Sequence, residues 1–183
     1  MRHAVVPLAD GFEEIEAITV IDILRRAGIK VTVAGVDAAS ATGSHGIRVE
    51  CDTVFAADTC DGADALVLPG GMPGSRRLRE SAPVRDAVIR MATQGRLIGA
   101  ICAAPTVLEA CGILRGRRAT SHPDHAHEMR DCRYEETAVV EDGNVITSRG
   151  AGTSIDFAAA LVRRLAGEDT ARDILARIQY RRD

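Results

Sequence analysis

Two short segments of this 183-residue sequence are apolar at nearly every position, ADALVLP (63–69) and LIGAI (97–101). Runs of this length and composition are typical of strands covered on both faces, which occur in parallel sheets. HAVVPLA (3–9) and KVTVAGV (30–36) are further strand candidates, and residues 41–55 hold a weaker β segment. Strands of this kind need helices on both sides of their sheet.

Helical stretches separate the strands. EEIEAITVIDILRRA (13–27) has helical spacing of its apolar residues, residues 81–95 form a second helix candidate capped by Ser81, and a third follows residue 101. Asp142–Gly143 is typical of a hairpin turn. This alternation predicts one α/β domain over residues 1–183, a sandwich around a mostly parallel sheet. Two more helices are predicted near the end, TSIDFAAALVRRLAG and TARDILARIQ.

Composition and charge argue against several classes of partner. The formal net charge is −3 with acids and bases interspersed, so neither nucleic acid nor an anionic membrane is expected. No apolar run approaches the ~18 residues of a membrane-spanning helix, and HAVVPLA before Asp10 is too short for a signal peptide. Five cysteines without a regular framework fit a reducing compartment. We therefore expect a cytoplasmic protein.

Cys102 directly follows the strand candidate LIGAI. The small residues Ala100, Ala103 and Ala104 flank it, and Pro105 is tolerated only near the start of a helix. The sequence therefore predicts a sharp bend that places Cys102 at a helix N-terminus, where the helix dipole favours a thiolate. The alternative is a small buried side chain, the usual state of a free cysteine. We adopt that alternative for the other cysteines, Cys51, Cys60, Cys111 and Cys132.

Paired glycines end the other apolar strand. Ligands collect outside the carboxyl ends of strands in open α/β sheets, and Gly70 and Gly71 lie at such an end. Glycines there let the backbone approach a ligand and expose its N–H groups. A pocket is therefore expected between Gly70–Gly71 and Cys102.

Two glutamates on the first predicted helix are candidate partners for the thiol. Glu16 heads the apolar row of that helix, so we expect it to be partly desolvated, with a raised pKa that lets it move a proton. Glu13 heads a similar row, although water and the helix dipole should stabilise its charge in the first turn. Both could equally be ordinary helix-terminus residues. The apolar row contains Val20, Ile23, Leu24 and Ala27.

The segment HPDHAH (122–127) contains three of the five histidines. Its order suggests zinc, but Pro123 interrupts a helix and no cysteine spacing completes a usual site, so no metal is expected. His122 as an acid/base group near Cys102 is the more plausible role, and a solvated histidine is the alternative.

The sequence resembles the ThiJ/PfpI superfamily, specifically its DJ-one-like branch. The likeness runs nearly from end to end, through FEEIEAITVIDILRRAGIKVTVAG, DALVLPGG, IGAICAAPTVL and ITSRGAGTSIDFAAALV. It implies a flavodoxin-like three-layer α/β/α sandwich, a homodimer and no cofactor.

The resemblance also assigns roles to residues. Cys102 matches the cysteine at the family's elbow, Glu16 matches the carboxyl group that hydrogen-bonds to it, and His122 matches a nearby histidine. The glycines that line the pocket match Gly70 and Gly71, where a backbone N–H, together with that of Ala103, could hold an oxyanion.

Two positions depart from the family pattern. His45 stands where many relatives have an arginine at the dimer face, and Ala151 replaces the proline of the usual GPGT segment. Neither change removes a group that thiol chemistry needs.

The function implied is that of a glutathione-independent glyoxalase or deglycase. A thiolate would attack the aldehyde of methylglyoxal or glyoxal, an acid/base would move a proton between the two carbons, and water would release the hydroxy acid. The alternative is a redox-sensing stress protein or chaperone, in which Cys102 is oxidised and Glu16 stabilises the product. A cysteine protease is disfavoured because Glu16 is assigned to the cysteine and not to a histidine.

Overall fold

The computed structural model describes residues 1–181. Its strands are β1 (His3–Leu8), β2 (Lys30–Gly35), β3 (Ser40–Thr42), β4 (Arg48–Glu50), β5 (Thr53–Val54), β6 (Ala65–Leu68), β7 (Leu97–Ile101), β8 (Arg118–Ala119), β9 (Arg133–Tyr134), β10 (Val139–Asp142) and β11 (Val145–Ser148). Its α-helices are α1 (Glu14–Arg26), α2 (Gly74–Glu80), α3 (Ala82–Thr93), α4 (Pro105–Ala110), α5 (Ser154–Ala166) and α6 (Glu168–Arg177).

Seven strands form the central sheet, in the order β10-β11-β7-β6-β1-β2-β5. All neighbours are parallel except β10 and β11, which form an antiparallel hairpin at one edge. The carboxyl ends of β1, β6 and β7 therefore lie side by side, and the segments that follow these strands meet there. This edge of the sheet carries the candidate site.

Side chains of successive strand residues enter two separate cores. Along β1, Val6 and Leu8 pack toward α1 and α5, whereas Val5 packs on the opposite face toward α3. This alternation follows from the two-residue period of a strand. Helices cover both faces, so the central strands β6 and β7 are buried at every position, as their apolar runs predict.

The flavodoxin-like α/β/α sandwich expected from the sequence is confirmed. The weak β segment at residues 41–55 is more broken than expected, because it contributes β4, β5 and most of β3 rather than one strand. Ser81 stands at the N-cap of α3, but its side chain makes no capping hydrogen bond. No helix among residues 1–181 is long and apolar enough to cross a membrane.

Candidate active site

Cys102 lies in a tight turn between β7 and α4. Its backbone is left-handed, with φ of +65°, a conformation that non-glycine residues rarely adopt. The turn is fastened on both sides, since the Cys102 N–H donates to the Ser148 carbonyl (2.9 Å) and the Cys102 carbonyl accepts from the His122 N–H (2.8 Å). These bonds hold the backbone in a strained conformation that presents the thiol at the end of the strand.

The predicted helix boundary at Cys102 is wrong. The helix begins at Pro105 and has six residues, so two residues, Ala103 and Ala104, separate Cys102 from its first turn. Pro105 indeed occupies the first helical position, as its missing N–H permits. A helix this short and this distant contributes little to the stability of a thiolate.

Glu16 lies on the buried face of α1 and has no exposed surface. One carboxyl oxygen, Oε2, accepts a hydrogen bond from the Gly70 N–H at 2.8 Å. The other, Oε1, is buried and accepts no hydrogen bond from an N–H or O–H group of residues 1–181. The carboxyl faces the Cys102 side chain: a Cβ added to Gly70 would lie 2.5 Å from both Glu16 Oε2 and Cys102 Cβ, so these two atoms are at most about 5 Å apart.

Burial dominates the electrostatics of this pair. Burial raises the pKa of the Glu16 carboxyl to about 7, and the negative charge of Glu13 raises it as well, against hydrogen bonds from Cys102 and Gly70. Burial also raises the pKa of the Cys102 thiol to about 12, reinforced by the charge of Glu16. Burial and the charge of Glu16 therefore oppose the thiolate that was expected from a helix dipole.

The two groups titrate as a unit. The first proton leaves the pair near neutral pH, and the second is held to high pH because the remaining charge opposes its loss. Near pH 7 to 8 Glu16 and Cys102 together carry about one negative charge and share one proton. Such a pair can pass a proton between carboxyl and sulfur with little change in total charge.

Backbone N–H groups surround the sulfur. Those of Gly71 and Ala103 hydrogen-bond to the Cys102 sulfur and act to lower the thiol pKa. Gly70 directs its N–H to Glu16 instead, so the two glycines serve different groups. Gly71 has a φ of +90°, and a Cβ there would meet the Glu13 backbone nitrogen at 2.4 Å, which explains why this position is glycine. The structure thus brings five of the six predicted site residues together.

His122 is the sixth, and its backbone is the part that contacts Cys102. Its half-exposed ring accepts a hydrogen bond on Nδ1 from the Asp124 N–H at 3.3 Å and lies beside Gly150. With Nδ1 an acceptor, a neutral ring carries its proton on Nε2. The other two histidines of the segment differ from it: His125 pairs with Glu128 at 2.8 Å, and His127 is exposed.

The fold corresponds to that of known proteins. The model of the DJ-1/PfpI family matches residues 2–164. The chain belongs to the DJ-1/PfpI family. Protein dj-1beta of Drosophila melanogaster is 43% identical over 176 residues, 94% of each chain, and its crystal structure superposes with a TM-score of 0.95 at 40% identity over 99% of each chain.

Two other relatives bear on function. A deglycase of Pyrococcus abyssi is 38% identical over 147 residues, which are 79% of this chain and 87% of the relative. A structure of oxidised Toxoplasma gondii DJ-1 superposes with a TM-score of 0.95 at 36% identity over the whole of both chains. The DJ-1/PfpI relationship thus supports a protective role of the deglycase type for this protein.

A cluster beside the site was missed at the sequence level. Both oxygens of the buried Glu14 carboxylate accept hydrogen bonds from the hairpin loop between β3 and β4, including the His45 N–H (2.7 Å) and, on Oε2, His45 Nδ1 (3.0 Å). Burial opposes ionisation of Glu14, but these bonds outweigh it and lower its pKa to about 2. The hydrogen bond that His45 donates to the Glu14 carboxylate raises the pKa of His45. His45, one of the two departures from the family pattern, therefore anchors the hairpin to α1.

The second departure, Ala151, begins a short 3₁₀ turn (Ala151–Thr153) that leads into α5. The Gly150 N–H donates to Thr153 Oγ1 at 3.1 Å within this turn. The turn therefore forms without the proline that relatives have, and it lies next to the His122 ring through Gly150.

Proposed function

We propose that this protein is a cysteine-dependent, glutathione-independent glyoxalase or deglycase that acts on methylglyoxal or glyoxal and on their adducts. The observation that carries this proposal is the fully buried Glu16 carboxyl held against Cys102, with the N–H groups of Gly71 and Ala103 directed at the sulfur. A thiol, a carboxyl with a pKa near neutrality and two N–H donors are the groups that isomerisation of a 2-oxoaldehyde requires.

The first step forms a hemithioacetal. Cys102 Sγ attacks the aldehyde carbon while the Glu16 carboxylate takes the thiol proton, so no free thiolate needs to accumulate at rest. The aldehyde oxygen becomes an alkoxide, and the N–H groups of Gly71 and Ala103 are the donors available to it. Glu16 then returns the proton to this oxygen and is again a carboxylate.

The second step moves hydrogen between the carbons. The Glu16 carboxylate removes the proton from the former aldehyde carbon and delivers it to the neighbouring carbonyl carbon, while the hydroxyl proton passes to the second oxygen. The product is a thioester of a hydroxy acid on Cys102. Water hydrolyses it, releasing lactate from methylglyoxal or glycolate from glyoxal, and the thiol is regenerated. His122, half-exposed and beside the turn, serves as the acid/base group for this water.

A deglycase activity would use the same groups of the protein on a different starting compound. An adduct of the aldehyde with an amine or a thiol presents the same two carbons. Cys102 Sγ forms a bond to the former aldehyde carbon as the bond from that carbon to the amine or thiol breaks, and Glu16 passes the proton it took from the Cys102 thiol to the leaving group. The relationship to the Pyrococcus abyssi deglycase supports this possibility.

The test is the formation of lactate from methylglyoxal by purified protein without glutathione. We expect Cys102→Ser and Glu16→Gln to lose this activity, whereas Cys111→Ser, a half-buried cysteine away from the site, keeps it. Lactate formation that persists in Cys102→Ser would overturn the proposal. Preformed adducts assayed with an excess of aminoguanidine, which traps free aldehyde, separate the two activities: only a deglycase accelerates adduct loss beyond the spontaneous rate.

A second candidate function is redox sensing through Cys102. Glu16 in its protonated form can donate a hydrogen bond to a sulfinate on Cys102, and the Gly71 and Ala103 N–H groups are directed to the same place. The oxidised Toxoplasma gondii DJ-1 structure supports this candidate. Mass spectrometry after mild peroxide should find two oxygens on Cys102 first, and earlier modification of Cys51 or Cys132 would contradict it.

We place the protein in a reducing compartment such as the cytoplasm, since all five cysteines are free.

We also propose that the protein is a homodimer. Ile15 (56% exposed) and Ile18 (41%) lie on one face of α1, and Ile47 (57%) lies on the adjoining hairpin loop that Glu14 anchors. We call these three residues the isoleucine patch. Large apolar side chains grouped in this way mark association surfaces, and a second copy is the partner that the family relationship favours.

A further inference from the structure

Three hydrogen bonds join Glu13, Glu16 and Gly70 in a closed ring. The Glu13 N–H donates to the Gly70 carbonyl (2.9 Å), the Gly70 N–H donates to Glu16 Oε2 (2.8 Å), and the Glu16 N–H donates to Glu13 Oε2 (2.7 Å). Each residue is therefore fastened to the other two. Glu13 is the member that holds both the backbone of Glu16 and the loop against which the Glu16 carboxyl rests.

The residue type at position 13 indicates more than helix capping. Glu13 is the N-cap of α1, a position where serine, threonine, aspartate and asparagine are preferred. A shorter side chain would cap the helix at least as well. The glutamate side chain brings a negative charge to within one helical turn of the buried Glu16 carboxyl.

The charge of Glu13 acts on the Glu16 carboxyl, which has few other titratable neighbours. Glu16 faces Glu13 on its own helix and Cys102 from the turn after β7, whereas the loop at Gly70 presents backbone groups. Glu13 in turn lies near Glu14 and His45. A carboxylate oxygen of Glu13, a carboxylate oxygen of Glu14 and a ring nitrogen of His45 all lie within 4.8 Å of one another. The negative charge of Glu13 raises the pKa of Glu16.

We propose that Glu13 is a positioning residue for the reactive pair: it holds the Glu16 carboxyl against Cys102, and its charge favours the protonated form of that carboxyl. Its catalytic consequence rests on the proposed function, but its effect on Cys102 does not. Glu13 acts through Glu16 and not directly on the sulfur or a substrate.

The experiment measures the pH dependence of Cys102 alkylation by iodoacetamide in the whole protein, with mass spectrometry to follow that cysteine alone. Wild-type protein should show an inflection near pH 7, where the pair loses its first proton. Glu13→Gln keeps an oxygen acceptor for the Glu16 N–H but removes the charge, so the inflection should fall by about half a unit to one unit. Glu13→Asp keeps both the charge and the helix cap, so the pH of its inflection should stay closer to that of wild type.

Catalysis supplies the second measurement. Glu13→Ala loses both cap and charge, and we expect kcat for methylglyoxal to fall by about tenfold or more with KM little changed, since a displaced Glu16 is the cause. Glu50 is an exposed carboxylate on β4, and Glu50→Gln is the control for a change in net charge. This variant should alter neither the pH inflection of Cys102 alkylation nor kcat.

The outcomes separate the hypotheses. An inflection in Glu13→Gln that superimposes on wild type overturns the proposal. If in addition kcat falls in Glu13→Ala and is unchanged in Glu13→Gln, Glu13 is a helix cap only. If the inflection shifts while no variant, wild type included, forms lactate, the proposed function fails and the positioning role of Glu13 stands.

Discussion

The Gly70 N–H donates to Glu16 Oε2 across 2.8 Å, and no space remains at Gly70 for a side chain. A Cβ there would lie 2.5 Å from the Glu16 carboxyl and from Cys102 Cβ, and 2.8 Å from the Ile101 carbonyl. Real Cβ atoms essentially never approach so closely, so the smallest possible side chain must push the reactive pair apart.

Gly70→Ala is therefore expected to reduce kcat/KM for methylglyoxal by about a hundredfold, the effect of displacing a reacting group by about 1 Å. Steady-state lactate formation measures this loss, and circular dichroism checks that the variant is folded. Gly152→Ala is the matched control, because its added Cβ meets no atom within 4 Å. Equal activity of Gly70→Ala and wild type would show that the contact between Gly70 and Glu16 does not matter.

Glu16→Gln should stabilise the protein while abolishing its activity. The buried carboxyl has a pKa of about 7 when folded, against 4.5 for an unperturbed glutamate. Below pH 4 it is protonated in both states and carries no penalty. Between pH 4.5 and pH 7 the carboxyl is ionised in the unfolded state but still protonated in the folded state. The free energy of unfolding therefore falls as pH rises, by about 2–3 kcal/mol above pH 7. Glutamine avoids this cost and still accepts from Gly70.

Urea denaturation at pH 4 and pH 8 tests this expectation. The free energy of unfolding of Glu16→Gln should exceed that of wild type at pH 8 and match it at pH 4. A variant that is less stable at pH 8 would mean that the carboxylate is better solvated than its burial indicates.

The Glu14 carboxylate, which is paired with His45, should have the opposite pH dependence. The folded-state pKa of Glu14 is about 2, so its hydrogen bonds stabilise the fold above the unfolded value and are lost as pH falls from about 4.5 to 2. The raised pKa of His45 adds stability that is present below its unfolded value and is lost as pH rises through the folded value. Because His45 is exposed and water screens the pair, Glu14→Gln should cost about 1–2 kcal/mol at pH 6.

Thermal unfolding across pH 2 to 8 checks this prediction, with Glu50→Gln as an exposed control. Wild type and Glu14→Gln should converge near pH 2. A constant difference between them at every pH would attribute the effect to packing rather than to charge.

A charge in the isoleucine patch should separate the two copies of the proposed dimer. Ile18→Glu places a carboxylate on the exposed face of α1, where burial against a second copy would be costly. Sedimentation velocity should show a dimer for wild type and a monomer for this variant. Ile89→Glu, which is similarly exposed (44%) on α3 at the opposite face of the sheet, should leave the dimer intact. A wild-type monomer at micromolar concentration would refute the dimer.

The sequence was most informative where burial controls residue choice. The apolar runs of β6 and β7 predicted parallel strands, and the meeting of Gly70 with Cys102 follows because both lie at the carboxyl ends of adjacent strands. Glu16 could be anticipated as a desolvated group because it heads the apolar face of α1. These inferences depend on the spacing of apolar residues along the chain, which is visible in the sequence alone.

Features that depend on backbone detail were not predictable in the same way. The left-handed φ of Cys102 is held by hydrogen bonds to Ser148 and His122, which are distant in sequence. The same holds for Glu13: its side chain appears in the sequence as one of several charges in a first turn, and only the positions of Gly70 and Glu16 reveal what it holds. Sequence patterns also could not show that burial would raise the thiol pKa.

The ring of Glu13, Glu16 and Gly70, together with Cys102, draws on segments that are more than eighty residues apart in the chain. It can close only after β1, β6 and β7 have paired, so the acidic partner of the thiol is assembled by completion of the sheet and is absent from nascent or partly folded chains. A chain still emerging from the ribosome thus carries an ordinary cysteine. The reactivity of Cys102 that depends on Glu16 becomes a property of the finished molecule, and a probe of that reactivity reports how much of a population has reached the native state.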